Sequence, residues 1–106
     1  MKFLCLSYGA EEDWRELPAT EQQTLLAQDD ALRQRGDVVA AVGEPTRVSA
    51  WNGTPCVERG PFSQATLPLA GFSLIEADDL DEALEIMAAT PCARARGVVE
   101  VWPVRS

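Results

Sequence analysis

The chemistry open to this chain is bounded first by a missing side chain: its 106 residues include no histidine. That removes the commonest general base, the commonest proton shuttle near neutral pH and the commonest zinc ligand. Ser-His and Cys-His nucleophile pairs are excluded with them. Cys5, Cys56 and Cys92 are odd in number and too scattered for a metal site or a redox pair, so free thiols are expected. Cys5 lies in an apolar run and is expected to be inert, whereas Cys92, just after a helix, is the thiol expected to react if any does. Acids crowd residues 76 to 85, but their spacing fits no calcium loop and no glycine supplies its sharp turn. They read instead as caps and dipole partners of a helix start. No metal and no cofactor is expected.

Four side chains stand out as polar or aromatic groups on or near apolar faces: Tyr8, Arg59, Glu100 and Trp102. A few polar groups in an apolar wall are typical of a ligand site. The guanidinium of Arg59 suits a carboxylate or similar anion held by two parallel hydrogen bonds. Glu100, flanked by Val and Trp, suits a proton acceptor raised by its apolar neighbours. An alternative needs no ligand: Glu100 pairs with Arg59 or Arg94 as a structural ion pair at a subunit boundary.

The elements that must position these groups are readable from periodicity and punctuation. Residues 2 to 8 form a short run that is apolar on both faces and closed by Gly9, as a central strand would be. After the polar stretch from Ala10 to Leu17, Pro18 opens a helix that Gly36 ends. Its stripe of Leu17, Leu25 and Leu32 is thin, which leaves Asp29 and Asp30 as solvated charges. Residues 37 to 42 read as a second strand. Asn52-Gly53 predicts a two-residue hairpin with a type I′ turn, strands 46 to 51 and 54 to 59, and the pairs Trp51 with Thr54, Ser49 with Cys56 and Arg47 with Glu58. Arg59 then shares the face of Val48 and Val57, and Pro55 places its strand at an edge. A strand over 69 to 76 follows, then a helix with Leu80, Ala83, Leu84 and Met87 as its stripe, bounded by Pro91. The last strand, 98 to 104, sets Val98, Glu100, Trp102 and Val104 on one face and Val99 and Val101 on the other.

The order is strand, helix, strand, extra hairpin, strand, helix, strand: an α+β, ferredoxin-like βαββαβ arrangement with an inserted hairpin. Both helices are expected on one sheet face. The other face is apolar without cover, so a homodimer is predicted. Length and composition, 46% apolar and 25% charged, predict one compact domain over residues 1 to 106. A formal charge of −8 repels phosphate backbones and anionic lipids, so neither nucleic acid nor a membrane is an expected partner. No apolar stretch approaches the ~20 residues of a membrane span, and the opening apolar run is too short for a signal peptide. A cytoplasmic protein is expected.

The segment Arg59-Gly60-Pro61-Phe62 resembles the Asp-Gly-Pro-Phe signature of the DGPF branch of YCII-related proteins. The resemblance runs nearly end to end. Residues 2 to 9 are similar to the family's first strand, Gly71-Phe72-Ser73-Leu74-Ile75 and Asp79-Leu80-Asp81-Glu82-Ala83 to its fourth strand and second helix. Pro91, Arg94, Gly97 and Val99-Glu100-Val101 stand where the family has Pro, Arg, Gly and a Val-Glu-Val stretch. The resemblance implies a dimeric α+β barrel with clefts beside the sheet, in bacteria, with a function mostly unassigned. Two departures bear on the site: Arg59 replaces the signature Asp, and Trp102 stands where an Arg is usual. Some relatives carry a His-Asp pair suspected of catalysis, which this chain cannot supply. The reading is a homodimeric domain that binds a small anionic ligand or is a degenerate enzyme. The alternative is a protein-interaction accessory, presenting its acidic second helix to the alternative sigma factors with which DGPF relatives are often associated.

Overall fold

The computed structural model describes residues 1–105. Its elements in chain order are β1 (Lys2–Tyr8), α1 (Glu11–Arg15), α2 (Ala19–Gln34), β2 (Val38–Ala41), β3 (Thr46–Ser49), β4 (Cys56–Arg59), β5 (Leu69–Glu76), α3 (Leu80–Met87), α4 (Pro91–Arg94) and β6 (Val98–Pro103). Four strands form an antiparallel sheet in the order β2-β5-β1-β6, and β3 and β4 pair separately. This is the ferredoxin-like order, with the β3–β4 hairpin inserted between the second and third strands of the sheet. β1 is central because its residues are apolar on both faces; Phe3 and Cys5 are fully buried on the helix side.

The core lies between that sheet face and the helices. Phe3, Cys5 and Ile75 meet Leu32 of α2 and Ala83 and Met87 of α3, with Val39, Val99 and Val101 packed around them. Asp79 caps α3 by accepting from the Glu82 N–H at 2.8 Å, and the Glu82 carboxylate accepts from the Asp78 N–H at 3.1 Å. These reciprocal bonds account for part of the acidic run as helix-start chemistry. Leu80 and Leu84, expected in the α3 stripe, are instead about half exposed at 47% each. The helix touches the sheet through its smaller and more flexible side chains, Ala83 and Met87.

Five stretches differ from the sequence reading. The polar stretch after β1 contains the short helix α1, which follows Ala10 with no side-chain cap. β2 is shorter than expected, and α3 stops at Met87, short of Pro91, which opens α4 instead of bounding α3. β6 ends at Pro103, one residue early, although the Val104 N–H still reaches the Lys2 carbonyl at 3.0 Å. The hairpin keeps the expected register, with Arg47 opposite Glu58 at 2.6 Å and Ser49 opposite Cys56, but its strands stop at those last two residues. The turn is not type I′: Gly53 has φ +90° while Asn52 stays at negative φ. The Gly53 N–H donates to the Ala50 carbonyl at 2.9 Å, and the Thr54 N–H to the Asn52 side chain at 3.3 Å. Pro55 has no N–H with which to extend the ladder, so pairing begins only beyond it.

Candidate functional site

The helix side of the sheet encloses a cavity of about 340 Å³ at the end where β2 meets β5, roofed by α1, α2 and α4. Three local features open it. The Gly9 N–H donates to the Pro68 carbonyl at 3.0 Å, which turns the chain out of β1 into α1. Gln22 of α2 donates to the Trp14 carbonyl at 2.8 Å, which pins α1 against α2 and sets the Trp14 indole in the wall. Small residues at the strand ends, Ala40, Ala41, Ala70 and Gly71, leave the space unfilled.

Asp29 is the distinctive group of this wall. It lies four residues beyond Leu25 and three before Leu32, so the helical repeat carries it to the same side as the two buried leucines. It is half-buried, and no hydrogen-bond donor or ion-pair partner reaches its carboxylate among the described residues. Burial raises the carboxyl above its ordinary value of 3.8; Arg33 partly offsets this and Asp30 adds to it. Arg33, in the same wall, is already engaged: it donates to Asp30 at 2.7 Å and to the Val39 carbonyl at 3.1 Å. The expectation that Asp29 is a solvated charge is therefore corrected. Its spacing from Leu25 and Leu32 hinted at this side, but the spacing alone does not reveal that α1 covers it.

Cys92 also lines the cavity, half-buried on α4. Its thiol is raised by burial first and by the charge of Asp29 second, so it stays protonated at neutral pH. The cavity thus makes the thiol reachable without activating it. Cys5 is buried and its thiol is raised by burial, which outweighs the lowering influence of the neighbouring Ser73. That matches its reading as an inert core residue.

The four residues singled out in the sequence lie elsewhere. Tyr8, Glu100 and Trp102 share the opposite sheet face, where β1 and β6 pair Tyr8 with Val98, Leu6 with Glu100 and Leu4 with Trp102. Burial and then the neighbouring Glu100 charge raise the Tyr8 phenol. Arg59 is exposed on β4, opposite Thr46 and on the side of Val48 and Val57. No ion pair joins Glu100 to Arg59 or Arg94 among the described residues; the Arg94 Nε donates to the Ala88 carbonyl at 2.7 Å. None of the four borders the cavity. No group of three or more potential metal-ligating side chains comes together among the described residues, and no helix there is long and apolar enough to cross a membrane.

A family model, the YCII-related domain, matches residues 1–106. Among solved structures the chain is similar to 5-chloro-2-hydroxyhydroquinone dehydrochlorinase from Burkholderia phenoliruptrix AC1100 in complex with 2,5-dihydroxybenzoquinone. The identity is 15% and the TM-score 0.49, over 99% of this chain and 96% of that one. No curated protein matches.

Proposed function

The chain belongs to the YCII-related family, and from that premise we propose that it is a small-molecule-binding domain of the DGPF branch, acting as a homodimer, with the cavity beneath α1, α2 and α4 as its site. One observation carries this reading: a half-buried carboxylate, Asp29, opens onto a cavity of about 340 Å³ with no donor to it among the described residues. An acceptor left in that state costs stability unless something binds it. A carboxyl raised by burial is also suited to exchange a proton with a bound molecule.

A second reading attaches to the open sheet face. Arg59 makes no ion pair among the described residues, and Tyr8, Glu100 and Trp102 gather on a face that a second copy would cover. In a homodimer with that face inside, those four residues border a subunit cleft suited to an anionic ligand, with Arg59 as its forked donor.

The two are separated by amide chemical shifts in a titration with small ring compounds. Binding in the cavity moves the resonances of Trp14, Asp29 and Cys92, and Leu26→Trp, which plugs the half-exposed rim, abolishes those shifts. Shifts confined to Tyr8, Glu100 and Trp102, lost in Arg59→Ala, would transfer the site to the subunit cleft.

A further inference from the structure

We propose that the cavity is built for a small organic cation, a protonated amine on an apolar or aromatic body, with the ammonium against Asp29 and the body against Trp14. The inference rests on the cavity being the binding site and names the ligand class it selects. The charged groups of the wall are Glu11, Asp29 and Arg33. Glu11 faces Arg15 at 3.5 Å, one helical turn away. Arg33 gives its Nε–H to the Val39 carbonyl and one Nη–H to Asp30, whose carboxylate opposes its charge. Among the described residues Asp29 is then the one charged group of the wall that meets neither a donor nor an ion-pair partner. The charge of Arg33 is already opposed by Asp30, so the wall has a partner for a cation.

The surroundings favour the same class. Trp14 lines the cavity, and an indole brings both apolar area and an electron-rich face for an ammonium. A formal charge of −8 raises the local concentration of cations and repels anions. The volume is near the small end of ligand pockets, which fits one ring with a short polar arm. Burial also raises the Asp29 carboxyl, the state that an approaching positive charge would reverse.

Benzylamine, benzyl alcohol and benzoate have nearly the same shape and differ in charge, so titrating each into the full-length protein isolates the charge. Wild type is expected to bind benzylamine at least tenfold more tightly than the other two, with shifts at Trp14 and Asp29. Asp29→Asn should remove that preference and Asp29→Glu retain it. If benzyl alcohol or benzoate binds as well as benzylamine, and Leu26→Trp still blocks binding, the cavity stands as a site and the cation assignment falls. If no probe moves the cavity resonances at any soluble concentration, both fall.

Discussion

Two carboxylates with opposite shifts make the residue scale testable. Asp29 is raised by burial, so the folded chain holds a proton at a pH where the unfolded chain has released it. Its contribution to stability is fully present below the ordinary value of 3.8 and is lost as the pH climbs through the higher native value. Asp29→Asn, which cannot ionise, is therefore expected to melt a few degrees above wild type at pH 7, and the gain should shrink in acid. Glu76 has the reverse sign. The amino terminus at 3.0 Å and Lys2 at 3.2 Å lower its carboxyl, so its contribution is present above the ordinary value of 4.5 and lost as the pH falls through the native one. Glu76→Gln should lower the neutral-pH Tm only slightly, since exposed pairs are screened by water and salt. Melting curves of both variants from pH 3 to 8, followed by circular dichroism, check the two signs together. The same residues mark where sequence reading reached and where it stopped. Glu100 and Trp102 were legible as neighbours because strand alternation is strict, whereas Tyr8 joins them only through the β1–β6 register. Asp29 was not, because a charged side chain on a thin helical stripe reads as solvent-facing until the short helix α1 is known to roof it. That helix has five residues and no capping side chain, too little for periodicity to register.

At the scale of elements, tight backbone approaches decide more than side-chain type. Gly97 joins α4 to β6; its N–H donates to the Cys92 carbonyl at 2.8 Å, and a Cβ placed there would run into the carbonyl oxygens of Cys92 and Tyr8. Backbone cannot yield as a flexible side chain can. Gly97→Ala is expected to cost about 3 kcal/mol or more, seen as a lower urea midpoint with an unchanged slope. The β3–β4 hairpin is the opposite case, because none of its residues enters the core. The Gly60 N–H donates to the Pro45 carbonyl at 3.0 Å, so the base of the hairpin is already closed. Replacing residues 46 to 59 by a two-residue Gly-Ser link should leave the Tm within a few degrees. A loss of ten degrees or more would make the hairpin part of the folding unit. Its register was legible from Arg47 and Glu58, whose opposite charges must face each other. Its turn was not, because the Asn-Gly signal is local whereas the missing N–H of Pro55 acts on the ladder two residues away.

The whole molecule is less compact than its length requires: the radius of gyration is 15.5 Å, against roughly 13 Å for a compact chain of about this size. Its extents of 50 × 35 × 21 Å describe a flat body with a projecting hairpin. Flatness follows from a single layer of helices on one side of the sheet. The other side is left with Leu4, Val38, Val98 and Trp102, the last two 56% and 54% exposed. Exposed single apolar residues are ordinary, but these occupy one continuous face of four hydrogen-bonded strands, which marks an interaction surface. A second copy presents the same apolar face, and a two-fold axis lets the two faces cover each other with no new sequence. The Glu100 carboxylate does not oppose this, since it stands beside the Tyr8 phenol, a donor that can remain with it when water leaves. The expected interface is about 800 Å² per subunit. Light scattering behind a sizing column should therefore give twice the chain mass of 11.5 kDa at micromolar concentration. Trp102→Glu places a charge at the cross-strand neighbour of Leu4 without touching the helix-side core. It should yield a folded monomer with the wild-type circular dichroism spectrum. A wild type that elutes at 11.5 kDa removes the dimer and, with it, the subunit cleft on the Tyr8 and Glu100 face, yet leaves the Asp29 cavity intact. That cavity is lined by α1, α2, α4 and the sheet of one chain and needs no partner to exist.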